Sequence, residues 1–524
     1  MNRRDARLNP PTWSPLPADW PRRRLRLILL VALNVLLAAW YFSWLVRPER
    51  VGMPLLFGLL LVAEVFNLCQ ALGFWWTGVC GRRWVAAVLP YPRLADVDVF
   101  VPVYGEPVEI VEPTIAASAR MRGANVQVWL LDDGESDEMR SLAERHGARY
   151  LRRAENHGAK AGNINNALRH STAPYVVVLD SDHVPHESFL QKTLGHMTDK
   201  RVAFVQTPQY YANHAVNPLA SAAWAQQALF FGAIAHGKDG IGATFCCGTN
   251  VLFRREALDE IGGFPEQSLT EDFELSIELH SRGWKSAYVP EVLANGLGPE
   301  DMASYVSQQQ RWARGCLSAF PKIVATRLPL RLRLQYFLSA MYFLSGWTVL
   351  IYMSFPIVRI FSGEQPLAAA TASQFLLHFG PYFACSLLTV AVAGGGAYTF
   401  GGFALAAANF WVHILSTLMT IARRRGRFVV TPKQGVEGPQ PRTVVPALLM
   451  AAGLLTAAGY GLAQGHSPAT LNNVAFAGLH VFVLMTGVWP ALIGARAAAR
   501  VREAERERAR RAGISAQSAA RRAA

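Results

Sequence analysis

The sequence predicts an α/β, Rossmann-like cytoplasmic domain inserted in an α-helical transmembrane bundle. Three observations predict it. Apolar blocks of bilayer-spanning length lie at both ends of the 524-residue chain. Between them, short β-branched runs alternate with helical stretches, the pattern of a mostly parallel sheet with helices on both faces. Acidic pairs stand where those runs end, and open α/β sheets bind their ligands beyond the carboxyl ends of the strands.

The blocks 27–46 and 54–77 are each near the ~20 residues that cross a bilayer. The first follows a basic arm, and no small-residue cleavage site separates the two, so neither reads as a signal peptide. Beyond the middle come 336–360, 374–394, 400–421, 444–462 and 474–493. Net charge is +14, but residues 1–26 carry +5, 422–442 carry +5 and 496–524 carry +6, which leaves −2 for all the rest. Basic residues flanking apolar spans answer to the positive-inside rule and to anionic lipid. The expected partner is therefore a lipid bilayer, the inner membrane of a bacterial cell, and no nucleic acid is expected.

Charge also sets the topology. The arm with Arg22, Arg23, Arg24 and Arg26 reads as cytoplasmic, two spans return the chain there, and the run Arg423, Arg424, Arg425 and Arg427 should lie there too. An even number of spans must precede that run. The segment 400–421, interrupted by Asn409 and His413, therefore reads as an interfacial or partly buried helix; a seven-span arrangement would put four arginines outside. The expected organisation is a basic arm (1–26), two spans (27–77), a catalytic domain (93–320) and an amphipathic interface helix (321–335). Two spans (336–394), an interfacial helix and loop (398–442), two spans (443–495) and a basic cytoplasmic tail (496–524) follow.

Within the middle, strands are expected at 97–103, 126–131, 148–151, 202–206 and in the run ending at Asp180, with helices around 108–121, 137–146 and 161–170. The first strand-to-helix turn has one glycine, Gly105, and no G-x-G-x-x-G, so a dinucleotide site is not expected. Cys69, Cys80, Cys246, Cys247, Cys316 and Cys385 form no C-x-x-C and read as reduced thiols.

Three motifs carry chemistry: D-S-D at 180–182, T-E-D at 270–272 and Q-Q-Q-R-W at 308–312. Carboxylates at a strand end suit a hard divalent cation, Mg2+ or Mn2+, holding a diphosphate. A separate aspartate can take the proton from an attacking hydroxyl. An arginine fork matches a phosphate, and a tryptophan face matches a sugar ring. An acidic pair alone is weak evidence, since D-D-G at 132–134 also makes an ordinary turn; the three motifs in order are strong.

Together with H-G-A-K-A-G-N at 157–163, V-Q-T-P-Q at 205–209, F-C-C-G at 245–248, H-S-R-G-W-K-S at 280–286 and F-x-V-T-x-K at 428–433, these strings resemble the catalytic subunit of bacterial cellulose synthase and cellulose-synthase-like processive family-2 glycosyltransferases. The resemblance implies a GT-A domain and an inverting transfer that polymerises a β-glucan from UDP-glucose and passes it through the bundle. It implies that Tyr104, Glu106 and Asp132 hold the uridine, Lys160 and Arg311 the diphosphate, Asp180 the ribose or the metal, and Asp182 the metal. Asp272 would be the general base, oriented by Glu271. Trp312, Gln308 and Cys247 would meet the growing polysaccharide, and Phe428, Thr431 and Lys433 would form a loop closing over the UDP-sugar. Trp347 or Phe343 would line a channel, and accessory subunits are possible partners. Only two spans precede the domain, and the short tail has no room for the cyclic-di-GMP-binding domain many such enzymes carry; both departures from the family pattern count against cellulose itself and against cyclic-di-GMP control. Related readings are a synthase of another linkage or sugar, a non-processive transferase, or a transporter with a nucleotide domain. The scarcity of charge within the spans opposes the last.

Overall fold

The computed structural model describes residues 5–8, 11–15, 20–81, 94–215, 217–424 and 438–494. The proposed loop residues Phe428, Thr431 and Lys433 and the tail 496–524 lie outside them.

The middle folds around a seven-stranded sheet in the order β3-β2-β1-β4-β8-β6-β9. The strands are β1 (Ala95–Val103), β2 (Ala124–Asp132), β3 (Arg149–Arg152), β4 (Tyr175–Val178), β6 (Val202–Gln206), β8 (Val251–Arg254) and β9 (Lys285–Tyr288). Three short strands, β5 (Val184–Pro185), β7 (Tyr210–Tyr211) and β10 (Ala294–Gly296), form a second sheet in the order β5-β10-β7. The large sheet is mostly parallel, as expected, but β8 runs antiparallel to both β4 and β6.

Continuous apolar runs form these strands because both faces are covered. Val97, Val99, Val101, Val128, Val177 and Leu252 bury into one core. Their alternating neighbours Phe100, Trp129, Leu131, Val176, Val178 and Phe253 bury into the other. Helices Val108–Ser118, Asp137–Arg145 and Ala159–His170 alternate with β1 to β4, so the carboxyl ends of β1, β2 and β4 share one edge.

Among the described residues, six helices are long and apolar enough to cross a membrane: Trp20–Leu45, Pro54–Val79, Leu330–Ser362, Ala372–Gly394, Pro441–Gln464 and Pro468–Ile493. The chain is a multi-pass membrane protein. A seventh apolar segment is a pair, Phe400–Ala408 and Phe410–Ile421, bent by 42°. This pair packs tightly inside the bundle. A Cβ at Gly487 would stand 2.2 Å from the Ala404 carbonyl oxygen, and one at Gly346 would stand 2.3 Å from that of Phe410.

The amphipathic stretch expected at 321–335 is not one helix. Helix Phe320–Ala325 ends before Pro329, and Leu330–Met341 opens the next span. Proline has no N–H to continue the ladder and disfavours helix at the residue before it. Lys322 turns to Glu278 (3.2 Å) and Glu274 (3.5 Å) of helix Glu271–Ser281.

Candidate active site

The turn after β1 builds one wall of the site. Gly105 adopts φ +76, and Glu106 folds back to accept from the Tyr104 N–H (2.5 Å) and from the Ser181 hydroxyl (3.1 Å). The first strand-end turn is thereby tied to the D-S-D turn after β4.

Asp132, expected at the uridine, is 1% exposed and outside the cavity lining; its Oδ1 accepts from the Gly134 N–H (2.7 Å), and its Oδ2 accepts from Ser136 N–H (2.7 Å) and Tyr150 OH (2.8 Å). These bonds hold the turn behind the cleft. Asp133 faces the cleft instead and makes a two-point pair with Arg153 (2.6 and 2.7 Å). Arg153 also donates to the carbonyls of His157 (2.5 Å) and Ala159 (2.9 Å), fixing the loop that leads to Lys160. Nothing in the motif pattern marked this arginine.

Gly158 at φ +70 and Ala159 at φ +45 start the next helix, and Lys160 in its first turn enters the cleft. Its ammonium bonds the Asp180 carboxylate and the Gly248 carbonyl oxygen (2.8 Å). Burial pulls its pKa down, but Asp180, Glu271 and Asp272 outweigh burial and raise it. Lys160 is thus a permanent cation between the metal-type acids and the T-E-D acids.

Asp180, Asp182 and His183 bring one ligand atom each to within 4.8 Å of one another. Asp182 is fully buried; its Oδ2 accepts from the Leu297 N–H (3.1 Å), and its Oδ1 lies 3.5 Å from His183 Nδ1. Both ring nitrogens of His183 are buried without a hydrogen-bond partner among the described residues. Buried nitrogens normally find partners, and a set of carboxylate oxygens and one imidazole suits Mg2+ or, with the nitrogen, Mn2+. The residues fit a divalent cation.

T-E-D opens helix Glu271–Ser281, placing Glu271 and Asp272 in its first turn. Burial and then the Glu271 charge push the Asp272 carboxyl up to about 7, against the Phe273 N–H (2.7 Å), Lys160 and Arg311, which lower it. Such a carboxyl is a competent base near neutral pH. Helix Met302–Ser318 carries Gln308, Arg311 and Trp312 and lies against the T-E-D turn because residue 315 is glycine: a Cβ there would stand 2.3 Å from Thr270 Cγ2. Cys247 is held by Gln206, which accepts its N–H (2.8 Å), and by Gln209, which donates to its carbonyl (2.7 Å). Burial raises both the Cys246 and Cys247 thiols well above the ordinary range, so they stay protonated.

One cavity of about 1150 Å3 is lined by Tyr104, Glu106, Asp133, Lys160, Asp180 and His183 together with Glu271, Asp272, Cys247, Gln308, Arg311 and Trp312; Asp182 and Asp132 are not among its lining residues. Phe74, Tyr342, Phe343, Ser386 and Tyr398 continue its walls between the apolar helices. Phe343 is therefore in the wall as expected; Trp347 is not among its lining residues. Lys238 and Phe245, which the motifs did not mark as site residues, also face it.

The glycosyl transferase family group 2 profile matches residues 175–398. The chain is 31% identical over 459 residues to the cellulose synthase 1 catalytic subunit [UDP-forming] of Komagataeibacter xylinus, covering 82% of this chain and 61% of that protein. It is 30% identical over 467 residues to the cellulose synthase catalytic subunit [UDP-forming] of Pseudomonas fluorescens, covering 84% and 62%. A longer cellulose synthase 1 of Komagataeibacter xylinus is 32% identical and covered over 32% of its length, so the chain spans between a third and three-fifths of these relatives. In fold it is similar to a mannosyltransferase from Pyrobaculum calidifontis solved with GDP-Man and Mn2+, with TM-score 0.52 and 18% identity over 69% of this chain and 99% of that one. Residues 175–398 thus match the family group 2 glycosyl transferases, the chain has a mixed α/β, GT-A-like fold, and it is related to bacterial cellulose synthases at moderate identity.

Proposed function

We propose that this protein is an inverting, processive glycosyltransferase that polymerises a cellulose-like β-glucan from UDP-glucose and passes it through its own helix bundle. The observation that carries the reading is that one cavity is lined both by Tyr104, Asp180, Asp272 and Trp312 and by Tyr342, Phe343 and Ser386 of the apolar helices. The names of the related synthases, which are UDP-forming, support the donor.

In this reading Tyr104 and Glu106 meet the nucleoside, and Asp133 takes the wall position first expected of Asp132. Lys160 and Arg311 face the diphosphate. Asp180, Asp182 and His183 would hold Mg2+ or Mn2+, which would neutralise charge on the departing diphosphate. The acceptor hydroxyl oxygen attacks the anomeric carbon from the side opposite the diphosphate, and its proton passes to a carboxylate oxygen of Asp272. The bond from the anomeric carbon to the phosphate oxygen breaks, and its electron pair leaves with UDP. Glu271 keeps the base raised, and Trp312, Gln308 and Cys247 seat the acceptor end. Phe428, Thr431 and Lys433 would close over the donor. The catalytic domain lies on the cytoplasmic side of a bacterial inner membrane, with six spans.

The test is the full chain in nanodiscs with Mn2+ or Mg2+ and a panel of UDP- and GDP-sugars. UDP release with UDP-glucose and a product digested by a β-1,4-glucanase are expected. Release with another donor, or a product of another linkage, would replace the glucan assignment.

A further inference from the structure

The base Asp272 sits on a helix whose far end is held by a buried polar chain that the transfer chemistry does not use. His280, 3% exposed on helix Glu271–Ser281, has Tyr336 OH at 2.7 Å from Nδ1 and Ser286 Oγ at 3.0 Å from Nε2. Proton accounting fixes the direction of each bond. The single Ser286 hydroxyl hydrogen goes to the Thr244 carbonyl oxygen (2.7 Å), so Nε2 must carry the N–H and donate to Ser286. Burial lowers the His280 pKa to about 4 and keeps the ring neutral, so Nδ1 is the acceptor and Tyr336 is the donor. Tyr336 belongs to helix Leu330–Met341, the first part of a membrane span.

On the same helix as His280, Ser276 ties the base to the neighbouring segment. Ser276 donates to the carbonyl oxygen of Asp272 itself (2.8 Å) and accepts the Cys246 N–H (2.8 Å). The Tyr336 ring meets Phe273, the residue after the base, edge to face at 5.2 Å, and Phe245 at 6.4 Å; Phe245 and Phe273 meet at 5.1 Å. One tyrosine of the bundle thus touches the base helix and the segment that carries Cys246 and Cys247.

We infer that Tyr336 is a positioning residue for the transfer, setting the base Asp272 and the acceptor-side segment 245–247 relative to the bundle through its hydrogen bond to His280 and its ring contacts with Phe273 and Phe245. The inference rests on Asp272 acting as the base. Its physical content is that a fully paired buried network holds one geometry, while one missing hydroxyl leaves its neighbours unpaired and loosens it.

Tyr336→Phe keeps the ring and removes only the hydroxyl; His280→Ala removes the acceptor. Glu271, Lys160 and Arg311, the charged groups facing Asp272 from its own and neighbouring elements, are untouched in both. Each variant is expected to lower kcat about tenfold or more with KM for the donor retained, because a displaced base costs the chemical step and not binding. The double variant should lose no more than the worse single one. The acid limb of the pH–rate profile should also move below the parent's as water reaches the carboxyl. Near-parental kcat and acid limb in folded Tyr336→Phe, or strictly multiplicative losses in the double variant, would overturn the inference. If the parent protein itself transfers no sugar, the proposed function fails instead. The inference is then decided by the pH dependence of melting, parent minus Asp272→Asn, with and without Tyr336→Phe: a shifted midpoint supports it and an unshifted one refutes it.

Discussion

The carboxylate of Asp272 lies directly over Gly248: a Cβ at position 248 would stand 2.9 Å from Asp272 Oδ2. The same glycine holds φ +81, and its carbonyl oxygen accepts from the Lys160 ammonium. The proposed base and the proposed diphosphate-side cation therefore share one backbone support. Gly248→Ala places a methyl against the carboxylate and strains a left-handed backbone, which costs about 1–2 kcal/mol for a residue with a Cβ. Transfer should fall by about tenfold or more, with UDP binding retained. Unchanged transfer with a folded protein would show that the contact is slack.

Asp272→Asn should reduce transfer by ~10²–10⁴-fold while UDP still binds, because shape is kept and the base is lost. In the parent, the rate should fall as pH drops through about 7, since the protonated carboxyl cannot accept the acceptor's proton. Stability carries the opposite sign. The folded pKa is raised from 3.8 to about 7, so the folded state binds the extra proton between these values. That contribution is complete below 3.8 and is lost as pH rises through about 7. Melting measured across this window should show Asp272→Asn gaining on the parent as pH rises. A parent that gains on the variant would refute the raised pKa.

Asp182→Asn should weaken the Mn2+-dependent part of UDP binding, and His183→Ala should weaken it less. Both predictions follow from the Asp180–Asp182–His183 cluster and the buried ring of His183, whose nitrogens make no hydrogen bond among the described residues. Calorimetry of UDP with Mn2+ against UDP with EDTA separates the two parts. Equal losses in both conditions would remove the metal role.

Lys238 is a buried cation in the cavity wall. Its ammonium donates to the Gln335 side-chain oxygen (2.9 Å) and main-chain oxygen (3.3 Å), and no carboxylate pairs with it among the described residues. Burial lowers its pKa from 10.5 to about 7. The unfolded chain binds the extra proton between those values, so Lys238 makes stability rise with pH from about 7 to 10.5. Lys238→Met should remove that rise and stabilise the protein near neutral pH, as a buried uncompensated charge is costly. Parallel melting curves for parent and variant would refute it.

Much of this was legible in the sequence because it was periodic or locally spaced. Runs such as 202–206 are strands wherever they pack; D-S-D follows a strand and T-E-D opens a helix, so Asp180, Glu271 and Asp272 reach the cavity from element ends, while Arg311 and Trp312 reach it from the middle of helix Met302–Ser318. What was not legible depended on contacts distant in sequence. Asp132 and Asp133 are adjacent acids of the same type, and only Tyr150 and Arg153, about twenty residues away, decide which faces the cleft. The antiparallel insertion of β8 between β4 and β6 has no local signature, and the break before Leu330 was hidden by a continuous basic-apolar pattern around Pro329.

The six-span reading makes a labelling prediction. Arg442 is exposed just before helix Pro441–Gln464 completes its first turn, and Ser467 caps the following helix, Pro468–Ile493, at the other end of the pair. Cysteine placed at 442 should be reached only from the cytoplasmic face and cysteine at 467 only from outside, scored above the labelling of the native cysteines. The reverse pattern would make the bent pair Phe400–Ala408 and Phe410–Ile421 a seventh span.

Processivity should depend on Trp312. Its helix Met302–Ser318 packs on both the T-E-D turn and the second half of the bent pair, so Trp312 stands where the cavity passes from the acids to the bundle, packed near Phe343. A polymer end seated on an aromatic face is held by stacking and apolar contact that do not involve the nucleotide. It can therefore stay bound while UDP departs and a new donor enters, and successive additions follow without release. Trp312→Ala removes the face without touching the acids or Lys160. The first addition to a short acceptor should then persist, while the product distribution shifts from long chains to single and double additions under excess acceptor. Product sizing by gel or mass spectrometry decides it. A parent that already makes mostly single additions would refute processivity itself, and an unchanged long-chain distribution in Trp312→Ala would move the holding contact elsewhere in the bundle.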